Sequence, residues 1–337
     1  MTGHADISPT DRRRDDLRWM ASAAALAARA RPLSRPNPAV GALLVREGVV
    51  VARGFTQAGG RPHAEAMALA AAGEAAAGAT LYVTLEPCAH ASARGPACAE
   101  LVAAAPLARV VVGCADPDPR TAGAGLARIR VAGIAAEIIA SPEARGSLAG
   151  YLSARTRGRP HVTLKLATSL DGCIARADGE SQWITGPEAR AHGHAMRARS
   201  DAILVGGATL RADTPRLDVR LPGLEARSPA RWVLTRRAAP EGWLALASPG
   251  DLTAMRDVQY LFIEGGAGAA AAFLAADVVD RILLYRAPIF IGGGLPAVGD
   301  IGLSALAAAH GRWQLADRRQ LGSDTLEVYE RTPCSPE

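Results

Sequence analysis

Four residues between positions 63 and 98 have side chains that could together do chemistry: His63, Glu65, Cys88 and Cys98. An imidazole and two thiolates fill three corners of a zinc tetrahedron. The fourth is left for water, as in a catalytic rather than a closed structural site. Glu65 stands two residues past the histidine. On a helix it would reach that water without ligating the metal and could serve as general acid and base. Either cysteine alone would pass for an ordinary small buried hydrophobe. The full set carries the specificity.

These donors need turns and helix ends to hold them. An alanine-rich helix is expected over 15–31, followed by a strand pair over 39–46 and 48–52 around Glu47-Gly48. A helix over 63–77 opens on the His-Ala-Glu triplet. A strand over 79–84 delivers Glu86-Pro87-Cys88 at its end, and a helix over 98–105 begins at the second cysteine. Strands over 109–114 and 137–140 flank a helix over 123–132. The alternation predicts an α/β fold of mostly parallel order. Helix N-termini suit thiolates, because the dipole favours the anion.

At 337 residues the chain is long for one core and fits two domains, expected at 1–150 and 151–337. Hydrophobic residues make up 49% and charged residues 21%, as in an ordinary soluble globular chain. Aromatic content is only 4%, so the core must rely on aliphatic packing and close helix approach. The net charge of +5 suits an anionic ligand. The arginines are scattered rather than clustered with aromatics, which argues against nucleic-acid binding. Five cysteines, with Cys114, Cys173 and Cys334 outside the metal pattern, argue against a disulfide framework and for a reducing compartment. No apolar leader or membrane-length stretch is read, so a cytoplasmic location is expected.

The second half has strands expected over 161–167, 202–206, 231–235, 260–264 and 281–288, with helices near 187–199 and 267–276. Two glycine turns follow strands, at Gly206-Gly207 and at Gly265-Gly266-Ala267-Gly268. Such turns let backbone N–H groups face a phosphate and point to a dinucleotide, although neither matches G-x-G-x-x-G. Lys165 is the one lysine among 38 basic residues, which suggests a need for a compact ammonium. Asn37 reads as an amide at a pocket rim, and His90 and Arg94 as contacts for a phosphate or as plain loop residues. His192 and His194 are expected to face solvent.

With these motifs assembled, the chain resembles the bifunctional riboflavin-biosynthesis deaminase–reductases from about residue 15 to 330. The shared motifs are Asn-Pro-x-Val-Gly at 37–41, Pro-His-Ala-Glu at 62–65, Thr-Leu-Glu-Pro-Cys-x-His at 84–90 and Asp-Pro-x-Pro at 116–119. Later come Lys165 through Gly172, Gly179 through Thr185, Asp213-x-Pro215 and Glu264-Gly265-Gly266. The first half has the H-x-E…P-C signature of zinc nucleobase deaminases.

The resemblance implies a cytidine-deaminase-like three-layer domain followed by a dihydrofolate-reductase-like α/β domain. It implies one zinc per chain, NADPH, a phosphorylated pyrimidine substrate and a homo-oligomer. The first domain would deaminate a phosphoribosylamino-diaminopyrimidinone, and the second would reduce its ribosyl group to ribityl. By the same likeness Ala167, Trp183, Thr209, Asp213, Gly266, Ala267, Gly268 and Ala269 would hold NADPH. Asn37, His90, Arg94, Lys165, Ser181, Arg197, Leu217, Arg220 and Glu264 would hold substrate.

The chain departs from the family pattern in places. Nine residues separate the zinc cysteines, one more than usual. Asp118 replaces an asparagine, and its carboxylate would repel a phosphate. Thr235 replaces an aspartate, and the stretch between 221 and 260 is short. An active deaminase with a non-catalytic second half is the alternative these departures leave open.

Overall fold

The computed structural model of the chain describes residues 9–90 and 92–332. Cys334 lies outside the described residues. The chain divides into two compact units, Met1–Arg157 and Gly158–Glu337.

The first unit runs α1 (Pro9–Ala27), β1 (Gly41–Arg46), β2 (Val49–Phe55), α2 (Ala64–Ala72), β3 (Thr80–Val83), α3 (Cys98–Ala103), β4 (Arg109–Val112), α4 (Ala124–Val131), β5 (Ala135–Ile138), α5 (Pro142–Ser147) and α6 (Ala149–Arg157). Its five-stranded sheet has the order β2-β1-β3-β4-β5. β1 is antiparallel to β2 and β3, and β3, β4 and β5 are parallel. Glu47 and Gly48, with φ of 52° and 75°, make the two-residue hairpin turn whose twist matches the strands it joins. The helix expected over 63–77 breaks at Gly73, where φ turns to 52°.

The low aromatic content has a packing counterpart. A Cβ on Gly41 would sit 2.0 Å from the Ala23 carbonyl oxygen, and one on Gly54 would sit 2.1 Å from that of Ala64. Helices α1 and α2 therefore lay their backbones directly on the hairpin, through Ala23, Ala27, Ala64 and Ala68, each of them fully buried.

The expected border at 150/151 moves to 157/158. The cause is α6. Tyr151 packs in the first unit's core with Leu148 and Leu126, and its hydroxyl donates to Asp116 Oδ1 at 2.8 Å.

The second unit comprises β6 (His161–Thr168), β7 (Cys173–Ala175), α7 (Pro187–Arg197), β8 (Ala202–Gly206), α8 (Gly207–Asp213), β9 (Ala230–Leu234), β10 (Leu244–Leu246), β11 (Tyr260–Ile263), α9 (Ala267–Ala275), β12 (Arg281–Arg286), β13 (Leu295–Pro296), β14 (Trp313–Leu321) and β15 (Asp324–Arg331). Its eight-stranded sheet has the order β10-β9-β8-β11-β6-β12-β15-β14. Six strands are parallel, β15 is antiparallel to β12, and β14 pairs antiparallel with β15 at the end of the sheet. Leu204 and Ile263 are buried on one face and Ile203 and Phe262 on the other, giving the near-continuous apolar strands expected of a parallel sheet covered on both faces.

Asp280 locks the start of this sheet. It is 7% exposed and accepts from Arg159 at 2.7 and 2.9 Å and from the Val162 N–H at 2.8 Å. Burial alone would push its carboxyl up. The Arg159 and Val162 donors, with the nearby His161, outweigh that and hold it below its ordinary value of 3.8.

Two stability predictions follow from these contacts. Gly41→Ala should cost about 1–3 kcal/mol by overpacking, whereas Gly146→Ala, which meets nothing within 4 Å, should be neutral or stabilising. Thermal denaturation of both variants checks this. Because the folded-state pKa of Asp280 is depressed, its contribution is complete above the unfolded value and lost as pH falls through the folded one. Asp280→Asn should therefore destabilise near neutral pH and converge on the wild type as pH falls through the depressed folded-state value, measured by urea unfolding across the acid range.

Candidate active sites

His63 is the N-cap of α2, with extended backbone, so its ring swings toward the start of α3. Cys98 is the first residue of α3, and Cys88 lies on the turn after β3. The donor atoms of His63, Cys88 and Cys98 all lie within 4.8 Å of one another. His63 Nδ1 is 3.2 Å from Cys98 Sγ and 3.7 Å from Cys88 Sγ. Tetrahedral zinc with sulfur and nitrogen ligands needs N–S edges of about 3.6 Å, so the residues fit the ion. The Cys98 N–H also donates to Cys88 Sγ at 3.3 Å.

The surrounding contacts fix these donors. The Asn37 side-chain amide donates to the Gly60 carbonyl at 2.9 Å and lies 3.0 Å from His63 Nε2, which leaves Nδ1 facing the sulfurs. A Cβ on Gly60 would meet Asn37 Cγ at 2.6 Å, so this approach requires glycine. Glu86 accepts from the Gly123 and Leu126 N–H groups at 3.1 and 3.2 Å and so caps α4. Gly125 brings α4 against the Pro87 carbonyl, where a Cβ would sit at 2.1 Å. The Glu86-Pro87-Cys88 turn is therefore clamped from both sides. The role of Gly123 and Gly125 was not read from the sequence, although a Glu ahead of a Pro-Cys turn and a downstream Ala-Gly were visible.

The electrostatics suit a cation. The hydrogen bond shared with Cys98 holds the Cys88 thiol down at about 4, while the same bond and burial push Cys98 up. A divalent ion bound here would favour both buried sulfurs as thiolates. Glu65 is 3% exposed, and burial pushes its carboxyl up against the opposing pull of His63.

Glu65, His63 and Cys88 line a cleft of about 310 Å³ together with Asn37, His90 and Arg94. Between the two cysteines the chain makes a tight turn in which Ser92 and Gly95 pair. There Arg94 donates to the Gly59 carbonyl at 2.8 Å.

In the second unit a cleft of about 550 Å³ lies at the carboxyl ends of β6, β8 and β11. It brings together Lys165, Ala167, Ser181, Trp183, Arg197, Thr209, Asp213, Arg220, Glu264 and Gly266, as expected. Four expected residues do not line it. Leu217 is 5% exposed and packs with Ile203 and Phe262 in the core, which leaves only its backbone for a ligand. Ala267, Gly268 and Ala269 form the first turn of α9, behind Gly266.

Glu264 sits at the centre. Arg197 grips it through two bonds of 2.6 and 2.9 Å, and Lys165 Nζ approaches it at 3.8 Å. Burial pushes the Glu264 carboxyl up, but Lys165 and Arg197 outweigh this and hold it down. Gly265 allows Ala269 close, since a Cβ there would meet that of Ala269 at 2.6 Å, and the Gly266 N–H donates to Thr209 Oγ1 at 3.3 Å.

The two histidines on α7 do not simply face solvent. His192 Nδ1 is 2.7 Å from the Tyr285 hydroxyl, and His194 lines the cleft and accepts from the Arg220 N–H at 3.3 Å. Arg190, His194 and Arg197 recur at helical spacing along one face, a signal the sequence contained.

Both units have relatives among known proteins. Residues 13–114 match the cytidine and deoxycytidylate deaminase zinc-binding region, and residues 160–246 and 251–326 match the RibD C-terminal domain. The riboflavin biosynthesis protein RibD of Haemophilus influenzae is 36% identical, over 93% of this chain and 97% of its own length. That of Mycobacterium tuberculosis strain H37Rv is 40% identical, over 86% and 90%. A solved structure of Acinetobacter baumannii RibD superposes with a TM-score of 0.82 at 36% identity, covering 95% of this chain and all of its own. With the donor triangle in one unit and the lysine–glutamate cleft in the other, the chain belongs to the RibD family, the zinc-dependent deaminases and NADPH-dependent reductases of riboflavin biosynthesis.

Proposed function

We propose that the two reactions are divided between the two clefts, with deamination in the first unit and reduction in the second. Zinc, when bound, supplies Lewis acidity that makes water a nucleophile near neutral pH. His63, Cys88 and Cys98 would hold it. Glu65 takes the first proton of the attacking water and delivers it to the ring nitrogen; it then takes the proton of the hydroxyl now on the ring carbon and gives it to the amine, which leaves as ammonia while the carbonyl forms. Asn37 orients the His63 ring. The juxtaposition of a buried carboxyl with three converging metal donors carries this reading.

In the second cleft NADPH supplies a hydride. Thr209, Asp213, Ala167, Trp183 and the Gly266 turn hold the cofactor, and Ser181, Arg197 and Arg220 the substrate. Lys165 polarises the sugar carbonyl or imine, kept in place by Glu264. We read the substrate as a phosphorylated pyrimidine, the location as the cytoplasm and the assembly as a homo-oligomer. The unpaired Cys88, Cys98, Cys114 and Cys173 support a reducing compartment. No described helix is long and apolar enough to cross a membrane.

Glu65→Gln should lower deamination about a hundredfold or more while retaining metal by elemental analysis. Its oxidation of NADPH with deaminated substrate should be unchanged. Persistent deamination would remove Glu65 from the proton transfers. Conversely, Lys165→Gln should lower NADPH oxidation about a hundredfold and leave deamination intact. Full reductase turnover in that variant would show that the lysine does not take part.

A further inference from the structure

The first cleft contains a charged cluster that the deamination chemistry does not use. Asp118 is 5% exposed and lies on the turn beyond β4. Arg120 grips it through Nε at 2.9 Å and Nη2 at 2.5 Å, and Arg155 Nη2 approaches it at 3.9 Å. Both arginines line the cleft that holds His63 and Glu65, with side chains 59% and 48% exposed. Arg155 is braced from behind, its guanidinium lying 5.5 Å from the Tyr151 ring centroid. Tyr151 is in turn anchored on Asp116.

A lone carboxylate at position 118 would repel an anionic ligand. Here two guanidiniums face that carboxylate, so the three groups together carry a net positive charge, while the neighbouring Asp116 is engaged by the Asp118 N–H and the Tyr151 hydroxyl. An arginine presents five N–H donors in a planar fork. Arg120 gives Asp118 one edge of its fork, so its remaining donors can serve a ligand in the cleft. A carboxylate that holds guanidiniums in this way limits their rotamers before a ligand arrives, which lowers the cost of ordering them on binding.

We propose that Arg120 and Arg155, positioned by Asp118, form the site that receives the phosphate monoester of the deaminase substrate. The inference rests on the reading that this substrate is phosphorylated. Asp118 is a positioning residue, and the two arginines are specificity determinants. Bidentate guanidinium–phosphate contacts make such a site selective for phosphate over a neutral hydroxyl.

The test uses the full-length zinc-loaded enzyme and two substrates, the phosphorylated pyrimidine and its dephosphorylated counterpart. The wild type should prefer the phosphorylated one. Arg120→Ala/Arg155→Ala should raise KM for that substrate about tenfold or more, leave kcat unchanged, and leave KM for the dephosphorylated substrate unchanged. Asp118→Asn should move the same KM in the same direction by a smaller factor. Arg120→Lys, which keeps the charge but not the fork, should recover part of the loss. Metal content and NADPH oxidation serve as controls for folding. If the variants retain the wild-type preference, or lose both substrates equally, the assignment of the arginines is overturned. If the wild type itself shows no preference, the reading of a phosphorylated substrate fails instead.

Discussion

Two thiols and a carboxyl buried side by side cannot all be ionised in a protein interior unless a cation joins them. That constraint governs the first unit. Cys88, Cys98 and Glu65 are 8%, 1% and 3% exposed, and His63 is the nearest basic group to share their charge. A divalent ion held by His63, Cys88 and Cys98 would resolve the conflict. The fold is arranged to keep the conflict in place. Glycines at 60 and 125 admit neighbouring backbone or amide atoms, Glu86 caps α4, and α3 starts at the second cysteine.

The second unit meets a different constraint with the same means. One buried carboxylate, Glu264, is shared between Arg197 and Lys165. Arg197 takes both oxygens in the planar fork that only an arginine provides, while the lysine stands off at 3.8 Å. A lysine retained in a chain that otherwise uses arginine thus faces the cleft rather than bulk solvent. The adjacent central strands β8, β11 and β6 bring Lys165, Glu264 and, through the helix after β8, Thr209 to one cleft.

Much of this was legible in the sequence. The zinc donors and Glu65 were, because metal chemistry restricts residue type and spacing together. Strand β8 was predicted to the residue, since a buried parallel strand bounded by glycine has sharp limits. The hairpin of β14 and β15 was not predicted. β14 is exposed along most of its length and so lacks an apolar alternation, although Gly322-Ser323 between them was a readable turn. The domain border was misplaced because Tyr151 looks like any helix aromatic until its hydroxyl is seen on Asp116. The α7 histidines were misjudged because period alone does not say which face a neighbouring tyrosine covers.

The place of α6 has a consequence for dissecting this enzyme. His63, Glu65, Cys88 and Cys98 all lie upstream of residue 104, so a fragment ending at residue 150 would contain all four. It would nonetheless lack Tyr151 and Arg155, which line the same cleft. Such a cut would also take Tyr151 out of the first unit's core and leave Asp116 without its hydroxyl donor, so the cleft loses part of its wall along with its floor.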